Sequence, residues 1–137
     1  MAPDEAVQNI FGQFKKAHQR LKEAVVLPTQ NPLKQDAVIQ RFEFTYELLW
    51  KTFKRLARLE KIDCFSPREA FNYAFRKGLI ADEKLFVEII DARNMTTHVY
   101  AEDQAKKIYD FIQQNVVQAF DFVAQKLEQF IERADSK

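Results

Sequence analysis

The sequence predicts an all-α protein: an antiparallel up-down four-helix bundle with one additional short helix, five helices in total. Three observations carry this. The 137-residue chain has only two glycines and four prolines, too few for the tight turns of a β-sandwich or the glycine-rich cradle of a phosphate-binding α/β fold. Apolar residues recur at three- and four-residue steps over most of its length. Helix-start signals stand at the heads of these periodic stretches. At 16.2 kDa the chain is long enough to bury a core and too short for two ordinary domains, so residues 1–137 are read as one domain.

Each element has its own justification. Pro3-Asp4-Glu5 places acids in a first turn, where they suit the positive end of the helix dipole, and Val7, Ile10, Phe14, Ala17, Leu21 and Val25 follow as one stripe. This predicts a helix from about Asp4 to Val26. Pro28 and Asn31-Pro32 push the residues before them away from helical angles and mark a loop. A second helix, from about Gln35 to Lys61, is expected from Val38, Phe42, Leu49, Leu56 and Leu59. Phe44, Tyr46, Leu48, Trp50 and Phe53 lie outside that stripe. Such a wide apolar surface calls for several covering helices or a second subunit.

Ser66-Pro67-Arg68-Glu69 combines a cap residue, proline at the first helical position and Glu at the third, a start signal for a short third helix that Gly78 can end in a left-handed cap. Asp82 caps a fourth helix carrying Leu85, Phe86, Ile89 and Ile90. Glu102-Asp103 open a long fifth helix whose stripe runs from Ile108 to Ile131. Short links between such helices imply an antiparallel bundle.

Composition also limits function. Cys64 is the only cysteine, which excludes an internal disulfide framework and cysteine-cluster metal sites. No window approaches the roughly 18 apolar residues of a membrane span, and no signal region opens the chain, so a cytoplasmic protein without a membrane role is expected. Lys and Arg total 21 against 20 Asp and Glu, which argues against coating nucleic acid by bulk charge. The distribution is uneven, however. Residues 34–77 carry ten basic and six acidic side chains, residues 82–137 seven and eleven, so a local basic surface is compatible with the sequence.

Arg93 follows Ile89 by four residues and Ile90 by three, which puts its stem on or beside the stripe facing the bundle. A guanidinium cannot shed its charge on burial. It must therefore find a carboxylate, reach solvent in a cleft, or meet an anionic ligand. Glu43 and Glu47, one helical turn apart, are candidates for a supporting ion pair, with Asp91 a further acid nearby in sequence. His98, five residues after Arg93, diverges from it by about 140° on a continuous helix. The two converge if the helix ends near Thr96-Thr97 or if paired subunits bring two such segments together. His18 and His98 sit in unrelated segments and no aspartate-rich cluster accompanies them, so neither a metal nor another cofactor is expected.

As a unit, Arg93-Asn94-Met95-Thr96-Thr97-His98-Val99-Tyr100 resembles the motif Arg, four residues, His, any residue, Tyr of HEPN-domain proteins. The match is to their HepT toxin branch, also labelled nucleotidyltransferase substrate-binding proteins. The stretch RFEFTYELLWK at residues 41–51 is similar to a signature of the same branch, and the resemblance in helix order and spacing spans nearly the whole domain. It implies an HEPN-like bundle and a metal-independent endoribonuclease, the toxin of a two-component system. It also implies a homodimer that gathers Arg and His from both chains into one cleft. Arg93 is then the ligand of the RNA phosphate, His98 the general acid or base, and Asn94 an orienting neighbour. Tyr100 becomes the residue that a small nucleotidyltransferase antitoxin adenylates to silence the nuclease. The same resemblance admits a non-catalytic subunit that presents a nucleotide or other substrate to a nucleotidyltransferase. A third reading is a plain scaffold bundle with Arg93 sequestered by carboxylates.

Overall fold

The computed structural model describes residues 2–98 and 101–135, and every regular element among them is helical. Helices α1 (Ala2–Val25), α2 (Lys34–Leu59), α3 (Pro67–Arg76) and α4 (Glu83–Met95) are followed by a 3₁₀ turn (Thr96–His98). A last rod comprises α5 (Glu102–Phe111), a π-helical turn (Ile112–Val116) and α6 (Val117–Asp135). The five expected helices are present, the fifth divided in two.

Cap chemistry fixes the starts of the short helices. Ser66 Oγ accepts the Glu69 amide at 3.2 Å, while Glu69 Oε1 reaches back to accept the Phe65 amide at 2.8 Å. Asp82 Oδ1 accepts the Leu85 amide at 3.0 Å. The bonds from the Glu69 and Leu85 amides satisfy donors that the first helical turn leaves without a partner, and the bond from Phe65 ties down the residue before the cap. Gly78 follows α3 with φ of 77°, the left-handed angle that glycine adopts without Cβ strain.

Cross-links give the helix directions. Arg41 Nη1 donates to the Arg20 carbonyl at 2.8 Å, whereas Ile10 shares a groove with Lys51 and Arg55, so α1 and α2 run antiparallel. Lys22 meets Asp121 at 3.1 Å and Lys15 meets Glu128 at 3.0 Å, so α6 runs antiparallel to α1. In the same rod, α5 packs on α2. Between its halves, Ile108, Ile112, Val116 and Phe120 follow one another at four-residue steps and all are buried. On a regular α-helix each such step overshoots by about 40°. The wider π turn absorbs the drift and keeps all four on the core side.

The core is a linked set of aromatic rings. Phe42 and Tyr46 of α2, Phe71 of α3, Phe86 of α4 and Phe120 of α6 form a closed circuit, with ring centroids 5.1–6.5 Å apart. Every helix of the bundle but α1 and α5 contributes to it. Tyr46 and Phe53 lie outside the primary stripe of α2, yet the chain buries both against Phe71, at 5.7 and 6.0 Å. Leu48 and Trp50 are half-buried, and Phe44 remains 58% exposed. The short α3 covers Tyr46 and Phe53, and with α1 and α5 it makes several helices around α2, one of the two expected alternatives.

At the far end of α2, Glu60 accepts from the Tyr73 hydroxyl at 2.5 Å and pairs with Lys77 at 2.6 Å. The bond from Lys77, then that from Tyr73, hold its carboxyl below the usual range, and burial followed by the bond to Glu60 raises the Tyr73 phenol. This links the exit of α2 to α3.

His18 is buried on α1, stacked on Phe14 and edge-on to Phe120. Its Nε2 lies 2.8 Å from Asp121 Oδ1, and its Nδ1 is buried without a partner. Burial outweighs the attraction of Asp121 and lowers the imidazole pKa below 6.5. The neutral ring with its proton on Nε2 fits this geometry, because a second proton on Nδ1 would be a buried donor with no acceptor. A depressed pKa means that the unfolded chain takes up the proton first as pH falls. Stability is therefore expected to fall as pH drops through the unfolded imidazole's range near 6.5, by at most about 1.4 kcal/mol per pH unit from this group. Urea unfolding of the wild-type protein and His18→Gln across that range checks this; the variant is expected to show a flatter profile.

Candidate functional site

The site lies where the end of α4 meets the first half of α2. Phe86, Ile89 and Ile90 bury one face of α4, and Phe86 joins the aromatic circuit. Three to four residues further along, helical spacing delivers Arg93 to the edge of the core beside α2. Its side chain is three-quarters buried, with 25% exposed. Arg93 Nη1 lies 3.4 Å from Glu43 Oε2 and 3.0 Å from Thr96 Oγ1.

Thr96 closes a triangle. Its hydroxyl accepts from Arg93 and stands 2.6 Å from Glu43 Oε2 and 2.7 Å from the Arg93 carbonyl. One hydroxyl proton serves one acceptor at a time, and the shorter, charge-assisted bond to the carboxylate is the stronger. Thr96 reaches this position because α4 stops at Met95 and the chain tightens into the 3₁₀ turn. Arg93 also sits in the last turn of α4, where the helix dipole favours a cation.

The guanidinium is incompletely satisfied. Both contacts run through Nη1, and the Nε donor is buried without a partner. An unpaired buried donor costs about 1–3 kcal/mol, the kind of deficit that an anionic ligand would relieve. Close by, burial and then the charge of Glu47 push the Tyr46 phenol up to about 12, against the pull of Arg93. Tyr46 thus stays a neutral wall of the site.

The other sequence-derived candidates fall into place as follows. His98 is exposed at the end of the 3₁₀ turn. The Asn94 side chain is exposed, and its carbonyl accepts from Thr97 Oγ1 at 3.1 Å. Glu43 is the acid that pairs with Arg93. Glu47 Oε2 accepts instead from Trp50 Nε1 at 2.8 Å. Asp91 is exposed. Tyr100 lies outside the described residues. Among the described residues, no three His, Cys, Asp or Glu side chains cluster as metal ligands, and no helix is long and apolar enough to cross a membrane. Sequence reasoning missed the bridging hydroxyl of Thr96, although a Thr three residues after a buried Arg, at a helix end, is the position from which it can bend back.

A family model described as nucleotidyltransferase substrate binding protein like matches residues 9–129. The chain belongs to this family. A curated relative, the probable ribonuclease HepT of Haemophilus influenzae, is 32% identical over 96 residues, which cover 66% of this chain and 65% of the relative. The chain thus spans just under two thirds of that relative's length. A crystal structure from Thermus thermophilus has a TM-score of 0.74 at 32% identity, covering 83% of this chain and 98% of the other. The tri-AMPylated HEPN toxin of Shewanella oneidensis, solved in complex with its MNT antitoxin, has a TM-score of 0.72 at 18% identity, covering 90% and 96%. The family's bundle is accordingly the HEPN fold in this chain too, with the Arg93 triangle at the junction of α2 and α4.

The triangle sets an energetic expectation for the site. Thr96→Val keeps the shape but removes the hydroxyl, leaving Glu43 and Arg93 each short of a partner. It is expected to destabilise the protein by about 1–3 kcal/mol. In a double-mutant cycle with Glu43→Gln, the two losses are expected to be non-additive by at least about 0.5 kcal/mol. Chemical denaturation of the three variants measures both quantities.

Proposed function

We propose that this protein is a metal-independent endoribonuclease, the toxin of a two-component toxin–antitoxin system. It works as a homodimer and is silenced by a small nucleotidyltransferase that adenylates Tyr100. The observation that carries the reading is the incompletely satisfied Arg93, held by Glu43 and Thr96, with exposed His98 one short turn away.

The chemistry matches those side chains. In cleavage through the RNA 2′-hydroxyl, the 2′ oxygen attacks phosphorus and gives up its proton to a base. The bond to the 5′ oxygen breaks, and that oxygen takes a proton. His98 supplies proton transfer near neutrality, as base or acid. Arg93 binds the phosphate oxygens through paired N–H groups and stabilises the charge that builds on them. Asn94, adjacent and exposed, orients either group. Glu43 fixes the guanidinium from one edge, and Thr96 fixes Glu43. A second chain supplies a matching Arg and His across the cleft.

Kinship supports the partner. The Haemophilus relative is named a probable ribonuclease, and the Shewanella neighbour is an AMPylated toxin bound to an antitoxin. Adenylates on Tyr100, two residues after His98 in sequence, would add negative charge to the motif and oppose the binding of RNA. A second reading draws on the family description itself: a non-catalytic subunit that presents a nucleotide or other substrate to the nucleotidyltransferase. The unpaired Nε donor of Arg93 beside Glu43 favours reversible anion binding, which both readings share.

Cleavage of single-stranded RNA in chelator-containing buffer tests the nuclease. Arg93→Ala and His98→Ala are each expected to slow it by at least about 100-fold; cleavage that survives both changes overturns the assignment. Incubation with the nucleotidyltransferase and ATP is expected to add adenylate mass on Tyr100, absent from Tyr100→Phe. Unmodified wild-type protein that binds nucleotide and partner yet leaves RNA intact establishes the second reading instead.

A further inference from the structure

The excess of positive charge between residues 34 and 77 is concentrated in one place that the proposed chemistry does not use. From Leu48 to Leu59, α2 carries Lys51, Lys54, Arg55 and Arg58 and no acid. At about 100° per residue these four share an arc of about 100°, and all four are exposed. Arg58 pairs with Asp63 at 3.2 Å. No carboxylate of the described residues pairs with Lys51, Lys54 or Arg55. Isolated surface cations are ordinary, but four on one face without interleaved acids on a chain of net charge +1 are a polyanion footprint.

The stripe is continuous with the Arg93 site. Glu43, Glu47, Trp50 and Lys54 follow one another along a single seam of α2, at steps of three and four residues. Glu47 bonds Trp50 Nε1 at 2.8 Å, and Lys54 Nζ stands 5.7 Å over the Trp50 ring. From Glu43 to Arg58 the helix rises about 22 Å. At the far end the four cations line a groove of about 580 Å³ together with Phe65, which is 79% exposed. An exposed ring beside a row of cations is the pairing that single-stranded nucleic acid exploits, phosphates on the charges and a base on the ring.

We infer that the Lys51–Arg58 face of α2, with Phe65, is a track for the single-stranded RNA backbone, leading it to the phosphate held at Arg93. The inference rests on the ribonuclease reading for its destination. Its own content is a binding surface that is independent of base sequence. The charge on this face, not its shape, does the recognising, so its signature is salt dependence.

The test is fluorescence anisotropy with a labelled single-stranded RNA of roughly 12 nucleotides, within the span such grooves cover. The protein is the full chain carrying His98→Ala, so that the probe stays intact. Adding Lys51→Gln, Lys54→Gln and Arg55→Gln together is expected to weaken binding at least tenfold. The slope of log affinity against log salt should fall by about 2, at about 0.7 per lost contact. Lys84→Gln, Lys106→Gln and Lys107→Gln, with the same change in net charge, are expected to shift affinity less than about twofold if recognition is local. The charge-keeping set Lys51→Arg, Lys54→Arg and Arg55→Lys should retain the parental slope. If circular dichroism shows the triple Gln protein unfolded, the three single variants are read instead, each expected to lower the slope by about 0.7. An unchanged slope, an equal loss in the control set, or intact RNA binding with lost binding of the nucleotidyltransferase overturns the inference. Stripe-dependent binding by a protein that never cleaves RNA leaves the track standing and removes the nuclease. Cleavage by a protein indifferent to the stripe does the reverse.

Discussion

The arrangement at the α2–α4 junction follows from a charge that cannot be switched off. A lysine or histidine in the place of Arg93 could meet partial burial by losing its proton; a guanidinium cannot. The fold therefore has to bring a carboxylate to it, and Glu43 is close enough because α2 crosses the end of α4 at that level. One acid held through one nitrogen balances the charge but leaves the Nε donor unpaired. It stabilises the cation in the fold while leaving capacity for another anion. Thr96 stiffens the contact by bonding both partners at once.

The rigidity behind this contact comes from the aromatic circuit. Rings from α2, α3, α4 and α6 touch in a closed loop, so no one of those helices can slide without opening two contacts. Phe86 ties α4 into the loop less than two turns before Arg93, and Phe42 and Tyr46 tie in α2 on either side of Glu43. The acid and the base of the ion pair are thus placed by neighbours that are buried and apolar. Tyr46 belongs to both systems: its ring closes the circuit, and its phenol is raised by burial and Glu47 beside the Arg93 charge.

Much of this was legible in the sequence because it depends on local rules. Ser66, Asp82 and Gly78 announced helix boundaries through capping chemistry that acts within four residues, and the stripes of α1, α2 and α4 followed from helical period alone. Arg93 stood out for the same reason, as a charge at an apolar position. What periodicity could not supply was the partner. Glu43 and Glu47 are equivalent by spacing, and the choice between them was made by Trp50, whose indole donor takes Glu47. The burial of Tyr46 and Phe53 was hidden too, since it depends on where the ten-residue α3 docks. The bridging role of Thr96 needed the helix end in three dimensions. The division of the fifth helix left a trace in sequence, the run of four-residue steps from Ile108 to Phe120, which a regular helix does not sustain.

That irregular turn decides which groove each half of the last rod occupies. Before it the rod lies on α2, and after it on α1. The π turn acts as a phase shifter, so one continuous segment can clasp two neighbours in succession. Winding the same residues as a regular α-helix, with none removed, would leave both halves helical but rotate one against the other by about 100°. Asp121 would then swing away from His18 and Lys22, and the seam between the first and last helices would lose its polar lock.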